Sequence, residues 1–269
     1  MSRLPRHLAS YAAYLFDVDG TLTYHDQAVP GAPEALRALK AHGKRIVAVT
    51  NNSSLSRHQL AERFRRFGLP LDDHEVLSAM VATAQLVAHE KPDAHVLVFG
   101  NPGFRAEVER AGLQVTDAAG DADYVVVGNH TGISYKGLTT ALRALLRGAR
   151  FVAVNVDRTY VGSDGGLVPG AGVFVAALER GAGRPPDVVV GKPSITLLLE
   201  AAHSIGQRPA DCLYTGDNLE ADVAGAHAAG MDALLVLTGV ASGAEETADP
   251  PEHVLPSVAD LKKLFAEAD

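Results

Sequence analysis

Two aspartates stand two positions apart in Asp17-Val18-Asp19-Gly20-Thr21-Leu22, directly after the apolar run Tyr14-Leu15-Phe16. A carboxylate at the tip of a strand can attack phosphorus in line, and the aspartyl phosphate that results splits one hard displacement into two easier ones. A second carboxylate two residues on can protonate the leaving oxygen, then take a proton from the water that hydrolyses the intermediate. Gly20 lets the chain turn sharply beside them. Alone, these residues equally suit an acidic turn or a helix cap.

Three further clusters bear on the choice. In Thr50-Asn51-Asn52-Ser53 a hydroxyl and backbone N–H groups can hold the oxygens of a transferring phosphoryl group, although Asn and Ser also favour ordinary turns. In Gly191-Lys192-Pro193 a lysine can neutralise both an aspartate and a phosphoryl group, or simply sit in a surface turn. Gly216-Asp217-Asn218-Leu219-Glu220-Ala221-Asp222 brackets a loop with two more acids, and Asp222 also suits a helix cap. Four acids converging without a cation would repel one another, so the set calls for a metal. Mg²⁺ takes oxygen ligands and keeps several waters. Asp17, the Asp19 carbonyl and Asp217 are the expected direct ligands, with Asp222 and Asn218 orienting coordinated water.

The elements that must position these residues alternate between short β runs and helical patterns, which predicts an α/β fold with a mostly parallel sheet. Strands are expected at Tyr14–Phe16, Arg45–Val49, Asp187–Val190, Cys212–Tyr214 and Ala233–Leu237, and helices over Pro33–His42, Ile195–His203 and Asp222–Ala229. The four clusters then fall at the C-terminal ends of strands, the edge where open α/β sheets bind ligands. The middle of the chain has its own αβ rhythm, and Gly181–Pro186 reads as a linker. The expectation is a core domain from 1–83 and 186–269, with 84–185 inserted into it. Val258, Leu261 and Leu264–Phe265 predict a C-terminal helix packed on the core.

The chain has 269 residues, 47% of them hydrophobic, which allows a substantial core. The net charge of −8 and the absence of a long Lys/Arg run argue against nucleic-acid binding. No apolar run approaches the roughly 20 residues that span a bilayer. With no signal-peptide pattern either, a cytoplasmic location is expected, with no membrane partner. The single cysteine, Cys212, excludes an internal disulfide and reads as a core residue.

Together the four clusters resemble the motifs of the haloacid dehalogenase-like (HAD) superfamily, and the resemblance covers nearly the whole chain. An insert between the second and third motifs looks like a C2-type cap on a Rossmann-like core. Leu167-Val168-Pro169-Gly170-Ala171-Gly172, with the motifs Thr50-Asn51-Asn52-Ser53, Gly191-Lys192-Pro193 and Gly216-Asp217-Asn218-Leu219, is similar to the NagD-type (class IIA) phosphatases. The same stretches resemble 4-nitrophenylphosphatases, phosphoglycolate phosphatase and pyridoxal phosphatase. The resemblance implies Asp17 as nucleophile and Asp19 as general acid/base. It implies that Thr50, Lys192 and the backbone at Asn51 bind the phosphoryl group. Asp17, Asp19 and Asp217 would hold Mg²⁺, with Asp222 in support, and the cap would close over the site and select the substrate. Relatives with this cap often pair through it, which leaves a homodimer through the cap as an option, although no self-complementary stripe is present.

The chain departs from its relatives in the cap. Many carry an Asp-Arg pair after the Val-Val-Val-Gly strand, where this sequence has Gly128-Asn129-His130-Thr131-Gly132. His130 either faces a leaving group or binds backbone within its loop. Asn155-Val156-Asp157 resembles the family's Asn-x-Asp turn, which makes Asn155 and Asp157 candidate substrate contacts.

The leading expectation is a Mg²⁺-dependent phosphatase of small phosphate monoesters. Nucleoside monophosphates, sugar phosphates, glycerol phosphate and phosphoglycolate are the candidate classes, with 4-nitrophenyl phosphate as surrogate. Dehalogenation needs neither an acid at Asp19 nor a cation at Asp217 and Asp222. A phosphotransferase or phosphomutase on the same nucleophile, and a non-catalytic sensor of phosphorylated metabolites, are the alternatives.

Overall fold

The computed structural model describes residues 7–24, 26–161, 166–241 and 248–265. The chain divides into two units. One comprises Met1–Thr50, His58–Leu77 and Lys192–Asp269; the other comprises Asn51–Arg57 and Ser78–Gly191.

The first unit is built on a six-stranded sheet in the order His253–Leu255, Asp232–Val236, Cys212–Gly216, Ala13–Asp17, Arg45–Thr50 and Val76–Ser78. The first five run parallel to their neighbours. Ala13–Asp17 is buried at every position, as a central strand covered on both faces must be. Register aligns Asp17 with Val49 on one side and Phe16 with Thr215 on the other. Asp17, Thr50 and Asp217 therefore leave three adjacent parallel strands at the same end of the sheet.

Helix Ala32–Ala41 turns Leu36 and Leu39 fully inward, as its spacing predicts. Against it packs the C-terminal segment Val258–Phe265, a 3₁₀ helix that buries Val258 and Leu261; the Phe265 side chain lies outside the described residues. Cys212 is fully buried, and burial pushes its thiol up to about 12, so it is inert packing.

The second unit holds a five-stranded sheet in the order Val188–Val189, Arg150–Ala153, Tyr124–Val127, His95–Phe99 and Gln114–Val115, parallel at each pairing. Its core joins Leu97, Phe99, Val125, Val127 and Phe151 to Ala141, Leu145, Val175 and Leu178 from helices Tyr135–Leu146 and Ala171–Ala182.

Three expectations change. The strand after residue 186 belongs to the second sheet: the Asp187 N–H donates to the Phe151 carbonyl, Val190 to Ala153 and Gly191 to Val154. Parallel pairing joins distant segments, so strand rhythm alone does not reveal its sheet. The third cluster thus follows a strand of the second unit, and the division between units falls at Gly191/Lys192. At the other end the division falls at Leu77/Ser78, just before helix Ala79–Glu90, which the sequence pattern did not predict. Finally, the expected helix from Asp222 is a π-helical turn, Leu219–Val223, running into a short α-helix, Ala224–Ala228.

Candidate active site

In the first unit, Asp17, Thr50 and the loop carrying Asp217 and Asp222 lie at the ends of adjacent strands, and Lys192 comes from the segment after Val188–Val189. Asp17 ends its strand with 7% of its surface exposed. Lys192 Nζ donates to Asp17 Oδ1 at 2.5 Å and to Asp222 Oδ1 at 2.8 Å, and so ties the first and fourth clusters together. Asp217 and Asp222 are also buried, and Asp17, Asp217 and Asp222 each bring a carboxylate oxygen within 4.8 Å of the others. Asp19 is exposed, and the Thr23 hydroxyl donates to its Oδ1 at 3.4 Å. One carboxylate of the Asp-x-Asp pair is thus held in the interior and the other reaches solvent.

The electrostatics follow from burial. Asp17 is raised to about 7, first by desolvation and then by the charges of Asp222 and Asp19, against the pull of Lys192. Asp217 is also raised, again mainly by burial. Burial opposes the charge on Lys192, yet the neighbouring Tyr214, Asp17 and Asp222 hold it well above the ordinary lysine value. Three buried carboxylates face one ammonium, so the cluster would carry two negative charges in excess if all three were ionised. A divalent cation with oxygen ligands fits that deficit, and the absence of His or Cys from the cluster points to the hard-cation class.

Both oxygens of Asp222 are already engaged. Oδ2 accepts from the N–H groups of Asp217 and Asn218 at 3.2 and 3.1 Å. Oδ1 accepts from Lys192 and, at 3.3 Å, from the Tyr214 hydroxyl. Asn218 Oδ1 accepts from Glu220 and Ala221 N–H and so caps the π-helical turn. Gly20 has φ +89°, and a Cβ there would lie 2.5 Å from Asp217 Oδ2, so only glycine allows this turn so close to the acid. Thr50 is buried at the end of its strand.

In the second unit, the Asn51 carbonyl accepts from Asn155 Nδ2 at 2.7 Å, and Asn51 Nδ2 lies 3.4 Å from Asp157 Oδ2. Asn155 is 2% exposed and its Oδ1 takes the Asp157 N–H. Its side chain thus braces the Asn51 loop, a role that sequence reading as a substrate contact did not anticipate. His130 packs edge-on to Phe99 with centroids 5.0 Å apart, its Nδ1 is buried without a hydrogen-bond partner, and burial lowers its pKa. Neighbouring Asn129 donates to Ser54 Oγ at 2.9 Å, while its own Oδ1 is without a partner.

Two contributors escaped the sequence reading. Tyr214 sits mid-strand among apolar residues and reads as core, yet its hydroxyl reaches Asp222 and its ring lies under Lys192, 5.8 Å from Nζ to centroid. The other is Thr238–Ala241, whose backbone meets Asp217. Among the described residues, no helix is long and apolar enough to cross a membrane.

Comparison with known proteins shows what the chain is similar to. The profile of the haloacid dehalogenase-like hydrolases matches residues 14–114, and a related HAD-hydrolase-like profile matches 189–261. The chain is 33% identical to the sugar-phosphatase AraL of Bacillus subtilis (strain 168), over 96% of this chain and 94% of that protein. It is 35% identical to the 5'-nucleotidase YutF of the same organism, over 94% and 98%. The solved structure of NagD from E. coli K-12 superposes with a TM-score of 0.85 at 30% identity, covering 93% of this chain and 98% of that one.

Proposed function

Because the chain belongs to the haloacid dehalogenase-like hydrolases, we propose that it is a Mg²⁺-dependent phosphatase of small phosphate monoesters with Asp17 as nucleophile. The observation that carries this reading is the buried Asp17 carboxylate, held by Lys192 with Asp217 and Asp222 beside it.

In the first half-reaction an Asp17 oxygen bonds to phosphorus as the ester P–O bond breaks, and Asp19 gives its proton to the departing alcohol oxygen. In the second, Asp19 takes a proton from water, the water oxygen bonds to phosphorus, and the Asp17–phosphorus bond breaks to release phosphate. The Lys192 ammonium, the Thr50 hydroxyl and the backbone at Asn51 hold the phosphoryl oxygens through both steps.

Mg²⁺ would be held by Asp17, Asp217 and the Asp19 carbonyl, where it supplies positive charge to the carboxylates and the phosphoryl oxygens. Asp222, with both oxygens engaged by protein donors, suits a supporting role through a bound water. Asn218, whose Oδ1 caps the turn, would likewise act through a bound water and not as a direct ligand.

The unit containing Ser78–Gly191 is proposed as the C2-type cap, with His130 and Asp157 as its candidates for choosing the leaving group. The relatives act on different phosphate esters, a sugar phosphatase and a 5'-nucleotidase among them. A panel of nucleoside monophosphates, sugar phosphates, glycerol phosphate and phosphoglycolate is therefore the right assay, with 4-nitrophenyl phosphate as reference. Phosphate release with Mg²⁺ that stops on complete chelation is the expected result. Undiminished release in chelator would contradict the reading.

A further inference from the structure

The chain leaves strand Asp232–Val236 and passes the acidic cluster in the segment Thr238-Gly239-Val240-Ala241. The Val240 N–H donates to Asp217 Oδ2 at 2.6 Å, and the Ala241 N–H donates to the Asp217 carbonyl at 3.0 Å. The Thr238 hydroxyl donates to the Gly20 carbonyl at 2.6 Å. A Cβ on Gly239 would collide with Asp217 Oδ2, so glycine there is what lets the backbone come this close. The Val240 side chain is 75% exposed, which rules out core packing as the reason for the segment's course.

We propose that Thr238–Ala241 is a positioning segment for the cation site, locking the Asp217 carboxylate and the Gly20 turn in one geometry. The proposal rests on the Mg²⁺ reading above. A carboxylate with one oxygen held by a charge-assisted hydrogen bond resists rotation about Cβ–Cγ, so its other oxygen is presented to the cation with less further ordering. The Thr238 bond acts at the other side of the site. By holding the Gly20 carbonyl it fixes the Gly20–Thr21 peptide, the unit next to the one that carries the Asp19 carbonyl, an expected ligand. Three donors from one short segment thus join the first and fourth clusters without contributing a ligand.

The test is Mg²⁺ affinity by calorimetry on the wild-type chain and on Thr238→Val, Thr238→Ser and Val240→Pro, with circular dichroism as the check on folding. Proline removes the Val240 N–H at a position where the side chain makes little contact. Thr238→Val and Val240→Pro are expected to weaken Mg²⁺ binding by about tenfold or more, the range for outer partners of metal ligands. Thr238→Ser is expected to bind as the wild type does. If Val240→Pro does not fold, Thr238→Val decides. Wild-type affinity in folded Thr238→Val overturns the proposal, even if its melting temperature is lower. Failure of the wild type to bind Mg²⁺ overturns the cation reading itself and the proposal with it.

Discussion

Asp17→Asn is expected to abolish phosphate release, by at least about 10³-fold in kcat, because the amide cannot form the bond to phosphorus. The fold is expected to survive, since asparagine has nearly the same shape and removes a buried charge. The pH dependence of stability separates this variant from a merely damaged protein. The Asp17 carboxyl is raised from 3.8 to about 7 in the folded, metal-free chain. Between those values the folded state binds more protons than the unfolded state, so wild-type stability falls as pH rises towards about 7 and levels off above it. Asp17→Asn removes that contribution, and its melting temperature is expected to lose that part of the slope. Melting curves from pH 5 to pH 8 in chelator, with turnover in Mg²⁺, check both halves. Equal turnover in the variant contradicts the assignment of Asp17.

Lys192→Met is expected to be the most damaging single change to the metal-free protein. The Lys192 and Asp222 side chains are 10% and 2% exposed, so removing the ammonium strands buried carboxylates without their cation. Breaking a buried pair from one side costs about 3–5 kcal/mol. Activity is expected to fall about 10²–10³-fold, as when one oxyanion donor is removed, because the phosphoryl oxygens lose the same charge. Lowering the pH protonates the stranded acids, so the variant is expected to regain stability towards acid where the wild type gains less. Urea unfolding at two pH values in chelator measures this. Unchanged stability would mean that the Lys192–Asp17–Asp222 contacts contribute little.

Much of this site is legible in the sequence because each motif pairs a polar, chemically specific cluster with an apolar strand. Asp17-Val18-Asp19-Gly20 and Gly216-Asp217 stand at the ends of short runs that form buried strands, and strand ends in a parallel sheet share one edge. What escaped is whatever local pattern does not encode. Helix Ala79–Glu90 buries residues nearly all round its first two turns, so it shows no polar face to reveal its period. Val188–Val189 could join either sheet, and only a register with distant Arg150–Ala153 decides. Asn155 reads as a ligand-facing amide, but both ends of its side chain are satisfied by the chain itself. Tyr214 is hidden by its apolar neighbours, and Thr238–Ala241 acts largely through backbone N–H groups that no residue type announces.

The most direct test is to identify the atom that carries the phosphoryl group. The wild-type chain is mixed with a turned-over phosphate ester and Mg²⁺, quenched in acid during turnover, and reduced with borohydride, which converts an acyl phosphate to an alcohol. Peptide mass spectrometry is then expected to find homoserine in place of Asp17, dependent on substrate. Homoserine at another aspartate, or a phosphoryl group retained on a different residue type with Asp17 unchanged, would contradict the account.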